Sequence, residues 1–276
     1  MAGVLNSVAD LLATYHRQLR RHARARPPGR VEQVGPVVRY LSDIDDSWEA
    51  VIWADIDEST ADAEIARQIE FFAGRGRRFE WKHHAYDTPA DLAARLIAAG
   101  FKREDDEAIM VAETASIAAD VALPSSIRLA PVVDAAGVDL VMQVHHEVFG
   151  TDDSWLREDM LSGLRAGQGS PTETDGGVMA IVAMAGDQPV CSARIEFHEG
   201  TDFASLWGGG TLPEWRGRGI YRALVSYRAG LAAGRHYRYL QVDASPDSQP
   251  ILERLGFVRL TTTTPYVWQP RTSAPR

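Results

Sequence analysis

The pattern of hydrophobic and polar positions divides the second half of the chain into short alternating stretches and longer stretches with helical spacing. Apolar residues at every second position indicate half-buried strands, and apolar residues three or four positions apart indicate one face of a helix. The predicted strands are residues 127–132, 178–184, 189–197, 203–212, 239–243 and 261–268. The predicted helices are residues 138–148, 155–164, 220–233 and 248–255. The second half is therefore expected to form a complete domain of mixed strands and helices.

The first half repeats part of this order of elements. Strands are predicted at residues 34–41, 50–54 and 79–83, and helices begin near residues 59 and 87. The second of these helices ends in Gly-Phe thirteen positions after Asp87, and another Gly-Phe follows Asp243 at the same interval. We therefore predict two related units, residues 1–124 and 125–276, of which the first is an incomplete repeat. The alternative is an unrelated α/β domain with coincidental Gly-Phe helix ends.

Residues 2–26 are predicted to form an amphipathic helix ahead of the first strand. Its apolar face consists of Val4, Val8, Leu11, Leu12, Tyr15 and Leu19. The sequence Pro27-Pro28-Gly29 ends the helix, because a proline ring does not fit inside one. Arginines crowd its last turns, where basic residues are stabilising in their own right. We therefore expect a docked helix rather than a patch that binds nucleic acid or a membrane.

The composition narrows the compartment and the partners. The net charge of −9 argues against general nucleic-acid binding and suits a cationic or amine acceptor. The one cysteine, Cys191, lies among alternating apolar residues, so we expect it to pack in the core of a protein from a reducing compartment. No apolar run is long enough to span a membrane, and the N-terminus lacks the apolar block of a signal peptide. A cytoplasmic protein without membrane or nucleic-acid partners is expected.

The most informative segment is a turn rich in glycine and arginine, between the strand at 203–212 and the helix at 220–233. Its residues 216–219 read Arg-Gly-Arg-Gly. The first amides of a helix have no partner within it and carry the positive end of its dipole, and glycines let a ligand approach the backbone closely. Such a turn suits an anion, most often a phosphate. It is neither a P-loop, which needs Gly-Lys, nor a dinucleotide fingerprint, whose third glycine is replaced by Arg222.

Residues 216–221 fit instead the pattern Q/R-x-x-G-x-G/A, with Tyr221 in place of the final small residue. The turn, the helix, the strand at 239–243 and the short helix ending in Gly256-Phe257 follow one another as in the GNAT superfamily of acyl-CoA-dependent N-acyltransferases, which the chain resembles. Three glycines at 208–210 fit as well, because glycines inside a strand mark a bulge and the corresponding strand of that superfamily is bulged. An ordinary βαβ unit with an arginine-rich turn is the alternative.

The resemblance implies an α/β (α+β) fold of the GNAT type, a mixed, mostly antiparallel twisted sheet flanked by helices. It also implies that acetyl-CoA is bound, its pyrophosphate by backbone amides of the turn and its pantetheine arm by the preceding strand. The cofactor-binding residues implied are Thr211, Leu212, Arg216, Gly217, Arg218, Gly219, Ile220, Tyr221, Arg222 and Ser248. In the first half, residues 57–62 occupy the place of the turn and contain three carboxylates, which would repel a pyrophosphate. The first half is therefore expected to be a non-catalytic companion.

Transfer of an acyl group to an amine needs a base for the amine proton and benefits from an acid for the leaving thiolate. Glu196 is the preferred base, on the polar face of the strand at 189–197; a solvated Glu/Arg pair is the alternative. Its polar neighbours on that face are Ser192, Arg194 and His198. GNAT enzymes often carry a tyrosine acid where this chain has Leu252. Ser248 and Tyr266 are the remaining candidate acids, with a helix cap and a buried aromatic as their alternatives.

No metal is expected, because the histidine pairs at 83–84 and 145–146 lack partners at ligand spacing. We predict an acetyl-CoA-dependent N-acetyltransferase that passes the acetyl group directly to a primary amine of a small-molecule or peptide acceptor, as a monomer or homodimer. Loops at 150–155 and 167–177 are expected to line the acceptor groove. The alternatives are a non-catalytic acyl-CoA-binding regulatory module, a transferase for a longer acyl group, and an enzyme for a small-thiol precursor such as that of the mycothiol pathway.

Overall fold

The structure is a computed structural model that describes residues 7–117, 123–151, 153–165 and 177–270. Its strands are β1 (Gly29–Val34), β2 (Val37–Ser42), β3 (Ala50–Ala54), β4 (Phe79–His84), β5 (Lys102–Arg103), β6 (Glu107–Glu113), β7 (Ile127–Pro131), β8 (Gly177–Ala185), β9 (Gln188–Phe197), β10 (Phe203–Thr211), β11 (Tyr239–Ala244) and β12 (Val258–Trp268). Its α-helices are α1 (Val8–Tyr15), α2 (Ala61–Gly74), α3 (Leu92–Ala98), α4 (Ala135–Phe149), α5 (Ser154–Arg165), α6 (Ile220–Gly234) and α7 (Gln249–Arg254). A π-helical segment, His16–Arg21, continues α1.

These elements form two compact units, and each unit takes its closing strand from the other half of the sequence. The first unit contains the described residues of 1–25, 29–108 and 261–276, and the second contains those of 26–28 and 109–260. This division differs from the predicted boundary at residue 124. Strand β12 belongs to the first unit from Thr261 onward, and β6 belongs to the second unit from Ile109 onward.

In the first unit the strands lie in the order β1-β2-β3-β4-β12, and the short β5 pairs with β12. Strands β1 to β3 are antiparallel, whereas β3 and β4 are parallel because α2 carries the chain back between them. Phe72 of α2 stacks on Phe79 of β4 with ring centroids 4.0 Å apart. Both belong to a buried cluster that also contains Trp81 and Tyr266, so α2 packs its apolar face into the core of this unit.

The leading helix packs in the first unit, as predicted, but its helical structure ends at Arg21 and not at residue 26. Of the predicted apolar face, Val8 is exposed and Val4 lies outside the described residues. Leu11 and Tyr15 are buried, and the Tyr15 hydroxyl lies 3.0 Å from Nε2 of His84. In the π-helical segment, Arg20 forms a two-pronged ion pair with Asp87, with N–O distances of 2.7 and 2.8 Å. Both side chains of this pair are buried, and a buried charge is tolerated only when it is paired and hydrogen-bonded. The pair therefore fixes where the helix docks.

In the second unit the strands lie in the order β6-β11-β10-β9-β8-β7. Strands β7 to β10 form an antiparallel meander that includes the predicted hairpin of β8 and β9, whereas β10 and β11 are parallel across α6. Ile220 and Leu224 of α6 pack on one face of the sheet together with Cys191. Helices α4 and α5 cover the opposite face through Ala180 and Val182 of β8. Cys191 is fully buried, which raises the pKa of its thiol to about 11 and agrees with a packing role.

Strand β6 has no counterpart among the strands that the sequence pattern predicts. Its residues 108–112 are all buried, so the segment shows no alternation of polar and apolar positions. A strand buried on both faces reads as a continuous apolar run, and periodicity alone does not distinguish such a run from a helix segment.

Candidate functional site

The central feature of the second unit is a place where two parallel strands separate. β10 pairs with β11 over three residues only, ending at Ser205 opposite Gln241, although both strands continue beyond that point. On its other side, β10 changes register with β9 between Trp207 and Gly210. This shift confirms the bulge predicted from the three glycines. The bulge and the loss of pairing leave the second half of β10 with a free edge toward β11.

Two of the three glycines are required by close neighbours from the helices. A Cβ atom on Gly209 would lie 2.8 Å from Cε2 of Tyr221, which belongs to the first turn of α6. A Cβ atom on Gly210 would lie 2.9 Å from Cγ1 of Val148, in the last turn of α4. Distances below 3 Å do not occur between such carbon atoms without displacement. The bulge therefore lets the ends of both helices close on the strand.

A cavity of about 650 Å³ opens where the end of β10, the turn, α6, α4 and α7 meet. The predicted cofactor-binding residues that line it are Thr211, Arg216, Gly217, Gly219, Ile220, Tyr221, Arg222 and Ser248. Leu212 and Arg218 do not line it. Leu212 is buried in the core and donates its amide to the Val190 carbonyl at 2.9 Å, and the Arg218 guanidinium lies over the Trp215 ring, 4.6 Å from its centroid.

The turn ahead of α6 presents a row of open backbone donors to this cavity. Gly217 and Gly219 have φ angles of 74° and 81°, in the left-handed region that glycine adopts without strain. Throughout the described ranges, no protein group accepts from the amides of residues 217–222; the first amide with an acceptor is that of Ala223, which donates to the Gly219 carbonyl at 3.0 Å. These amides stand at the positive end of a 15-residue helix. They form a donor set that suits an anion.

The side chains around the turn are mostly positively charged, like the helix end itself. Arg216, Arg222 and Arg254 all line the cavity, against a single lining carboxylate, Asp247. Arg216 is held in place because its Nε donates to the Thr211 carbonyl at 3.1 Å. Backbone amides and guanidinium groups together are the donors that bind phosphate oxygens in proteins. The residues present therefore fit a pyrophosphate.

Tyr221, the position that departs from the family pattern, faces the bulge and not the turn. Its ring lies against Gly209, and it forms part of the cavity wall without closing it. Burial raises the pKa of its phenol, and the nearby Arg228 guanidinium opposes that increase. Arg228 is fully buried and donates to the carbonyls of Leu224 and Arg194. Its Nη2 has no hydrogen-bond partner among the residues that the structure describes. Arg228 is not among the residues predicted from the sequence, although an arginine on the apolar face of α6 is a signal that could have indicated it.

The two candidate acids lie in different surroundings. Ser248 precedes α7 and lines the cavity, with its Oγ 3.2 Å from both the Oγ and the carbonyl oxygen of Ser245. Leu252, at the position of the family tyrosine, is 0% exposed and packs in the core. Tyr266 lies in the core of the first unit, opposite Trp81 in the β4–β12 pair and 3% exposed. This location gives Tyr266 the packing role named as its alternative, because an acid must reach the leaving group.

Glu196 lies on the polar face that strand alternation predicts. It is partly exposed and stands directly across from Ser205 of β10. No other residue of the described segments forms a hydrogen bond or ion pair with its side chain. Its neighbour Arg194 packs on the bulge at Gly208, and burial lowers the Arg194 pKa to about 10 despite the opposing effect of Glu196 and Asp159. The carboxylate of Glu196 is therefore available to an incoming group.

Three further features considered from the sequence are metal ligands, membrane-spanning helices and the acceptor loops. The described segments contain no group of three histidine, cysteine, aspartate or glutamate residues that could hold a metal ion. His145 instead bonds Asp153, with Nε2 and Oδ2 2.7 Å apart. Within the same segments no helix is both long and apolar enough to cross a bilayer. Of the two predicted acceptor loops, most of 150–155 is described, whereas nearly all of 167–177 lies outside the described residues.

Comparison with known proteins gives matches to solved structures only. No family model matches the sequence, and neither does any curated protein. A GCN5-related N-acetyltransferase from Kribbella flavida matches with a TM-score of 0.66 and 18% identity, over 98% of each chain. One from Sphaerobacter thermophilus matches with a TM-score of 0.61 and 14% identity, over 87% of this chain and 79% of that one.

A third match bears on the two-unit organisation. It is a tandem GNAT protein from the clavulanic acid biosynthesis pathway, with a TM-score of 0.58 and 14% identity, over 91% of this chain and 86% of that one. All three identities are low, so these likenesses concern the fold. They confirm the predicted fold class, a mixed and mostly antiparallel sheet flanked by helices.

Proposed function

The chain has the GNAT fold, and on that premise we propose that its second unit is an acetyl-CoA-dependent N-acetyltransferase. The observation that carries the proposal is the row of open amides at residues 217–222, at the mouth of a cavity and beside a strand with a free edge. A fold alone hosts many functions, so the proposal rests on this site. The fold indicates only where in the molecule such a site is expected.

The site offers matching groups for each part of acetyl-CoA. The amides of residues 217–222 would hold the pyrophosphate, with Arg216 and Arg222 beside them. The free edge of β10 beyond Ser205 would hydrogen-bond the pantetheine arm. When bound, acetyl-CoA supplies a thioester whose carbonyl carbon a neutral amine can attack.

The chain's own residues would bind the reactants and move protons. The amine would approach from the polar face of β9, where Glu196 is the candidate base, acting directly or through water. Backbone amides of the bulge at Gly208 and Gly209 are the candidate donors to the oxyanion. Ser248, on the cavity wall, is the candidate donor to the departing thiolate. Most of the acceleration would come from holding the amine and the thioester together.

The first unit is proposed to be a non-catalytic companion. Its helix α2 begins after Asp57, whose carboxylate already accepts the amides of Ser59 and Thr60 at 2.9 and 3.0 Å. The carboxylate of Asp57 therefore already occupies two of the amides ahead of α2 and adds a negative charge that would repel a pyrophosphate. The acceptor of the second unit is proposed to be a small-molecule or peptide amine, and the buried single cysteine suits a cytoplasmic location.

A non-catalytic acyl-CoA-binding module remains the second candidate, because Leu252 occupies the place of the family's tyrosine acid and is buried. Measuring the turnover of acetyl-CoA distinguishes the transferase from the binding module. Consumption of acetyl-CoA that rises with one member of a panel of amines, amino acids, polyamines and aminoglycosides supports the transferase. Slow hydrolysis that no amine accelerates supports the binding module.

Isothermal titration tests the cofactor site directly. Acetyl-CoA is expected to bind, and an absence of heat at high micromolar concentration would refute the site. Gly219→Glu is expected to abolish this binding while leaving that of acetyl-pantetheine, which lacks the pyrophosphate, unchanged. Gly230→Glu is the matched control, because Gly230 lies on the same helix, is exposed and has no atom within 4 Å of an added Cβ. Thermal unfolding of both variants shows whether the fold is retained.

A further inference from the structure

A chain of hydrogen bonds crosses three neighbouring strands of the second unit and joins four polar side chains. Directly after β9, His198 lies with its Nε2 2.7 Å from Oγ of Ser205 on β10. Ser205 donates its hydroxyl to Oε1 of Gln241 on β11 at 2.7 Å, and Nε2 of Gln241 donates to Oδ1 of Asp243 at 2.6 Å. Ser205 and Gln241 are 1% and 3% exposed, so water does not compete for these bonds.

The carboxylate of Asp243, at the end of this series of hydrogen bonds, fixes the direction of each bond in the series. An ionised carboxylate only accepts, so Asp243 turns the amide NH₂ of Gln241 toward itself and leaves Oε1 facing Ser205. The Ser205 hydroxyl must then donate to that oxygen, and its own oxygen accepts from Nε2–H of His198. A neutral imidazole with its proton on Nε2 has a lone pair on Nδ1. This series of hydrogen bonds therefore leaves Nδ1 of His198 as the nitrogen that can accept a proton.

This arrangement lies beside the separation of β10 and β11. Ser205 and Gln241 are the last paired residues of the two strands, and the bulge follows within a few positions along β10. Glu196 stands directly across from Ser205, so both project from the same face of the sheet. His198 follows Glu196 by two positions and belongs to that face as well. His198 is thus on the face of the sheet from which the amine would approach.

Burial favours the neutral imidazole of His198 near pH 7. Burial is the largest influence and lowers the pKa of His198 below its ordinary value of 6.5. Arg26 lowers it further, whereas the carboxylate of Glu196 raises it. Asp243 is connected to His198 through the two intervening side chains. No residue of the described ranges bonds Nδ1, so the acceptor position is open.

We propose that His198 is the general base for the acceptor amine, and that Ser205, Gln241 and Asp243 are positioning residues that hold it in the required tautomer. This inference deepens the proposed function and depends on it. It assigns to His198 the proton transfer that sequence reasoning assigned to Glu196. Glu196 then acts on the basicity of His198 and not on the amine itself.

The chemical step balances within the site. The amine nitrogen forms a bond to the acetyl carbon while its proton passes to Nδ1 of His198, which becomes an imidazolium with Nε2–H still bound to Ser205. The carbon–sulfur bond then breaks, and the thiolate of coenzyme A takes up a proton. The imidazolium returns its proton to water, so the enzyme ends the cycle unchanged.

Nuclear magnetic resonance tests the tautomer without any turnover. In protein labelled with ¹⁵N at histidine, the wild-type His198 is expected to show an unprotonated Nδ1 and a protonated Nε2 at pH 7.5. Asp243→Asn lets the Gln241 amide turn around, and a mixture of tautomers is expected. A wild-type spectrum with the proton on Nδ1 would overturn the proposal, whatever the outcome of acetyl-CoA binding.

Kinetics with the best amine of the panel then test the role. His198→Gln is expected to lower kcat by about 10²- to 10⁴-fold, to leave acetyl-CoA affinity unchanged and to remove the fall in rate at low pH. Ser205→Ala is expected to lower kcat less, with the low-pH fall shifted. His146→Gln, an exposed histidine of the same unit, is the control and should retain full activity. If Glu196→Gln abolishes the low-pH fall and His198→Gln keeps it, Glu196 is the base and the proposal fails.

Discussion

Helices α2 and α6 both follow a strand and return the chain to a parallel neighbour, but their starting turns are chemically opposite. Ahead of α2, Asp57 stands four positions before the first helical residue and accepts two backbone amides through Oδ1. Ahead of α6, Arg216 stands at the same position, and the amides of residues 217–222 meet no acceptor among the residues that the structure describes. One turn is closed by its own side chain and the other is open.

The comparison shows that one order of elements can give a helix start that is complete in itself or one that a ligand completes. A carboxylate beside the first amides stabilises a helix and removes the positive potential that an anion would need. Glycines and arginines leave both the amides and that potential exposed. The proposed functional difference between the two units thus depends on a few positions and not on their topology.

Transplanting the closed turn into the open one should have the largest effect. In Arg216→Asp, a carboxylate four positions ahead of α6 is expected to bind the open amides and to weaken acetyl-CoA binding by about 100-fold or more, since roughly 1.4 kcal/mol corresponds to each factor of ten. Its melting temperature should not fall, because a capped helix is at least as stable. Titration calorimetry and thermal unfolding measure the two quantities.

The control for this transplant is Arg216→Gln, which removes the charge without supplying a carboxylate. It is expected to weaken binding less, by about tenfold, because one charge-assisted contact is lost. Equal losses in the two variants would mean that the amides do not bind the pyrophosphate. The contrast between the two turns would then carry no functional meaning.

Filling the bulge should have an intermediate effect and separates the strand from the turn. Gly209→Ala places a Cβ atom 2.8 Å from the Tyr221 ring, so we expect a loss of about 1–3 kcal/mol in the free energy of unfolding. Combining it with Tyr221→Ala removes the overlap and should recover most of the loss, as a double-mutant cycle would show. Gly230→Ala, on an open face of α6, should not destabilise the protein. If the losses in unfolding free energy of the two single variants simply add in the double variant, the Tyr221 ring and the bulge do not interact.

Opening the closed turn should have the smallest effect. Asp57→Ala removes the carboxylate that accepts the Ser59 and Thr60 amides ahead of α2, and it is expected to lower the melting temperature slightly without changing acetyl-CoA affinity. Hydrogen bonds from Ser59 and Thr60 lower the pKa of Asp57 below its ordinary value of 3.8. The contribution of the carboxylate is therefore present above that value and lost as the pH falls through the lower folded-state pKa. Melting curves at pH 7 and pH 3 should show the variant and the wild type converging in acid.

Much of the site could be predicted from local sequence because its parts are local. The turn at 216–219, the helix that follows and the bulge at 208–210 each depend on backbone properties of consecutive residues, and the structure places them together around one cavity. Leu212 shows the limit of that reasoning: its place next to the turn suggested contact with a ligand, but strand alternation turns its side chain into the core. Tyr266 shows the same limit more clearly. It lies in the second half of the sequence, but from Thr261 onward its strand β12 belongs to the first unit.

The sequence by itself determined the periods of strands and helices, the glycines that permit left-handed turns, and the residue types at the helix starts. These are properties of a few neighbouring residues and need no partner elsewhere. Only the tertiary structure decided which strand closes each unit, and that His198, Ser205, Gln241 and Asp243 form one chain. The physical reason is that pairing register joins residues far apart in sequence, and no local period records which strands will become neighbours.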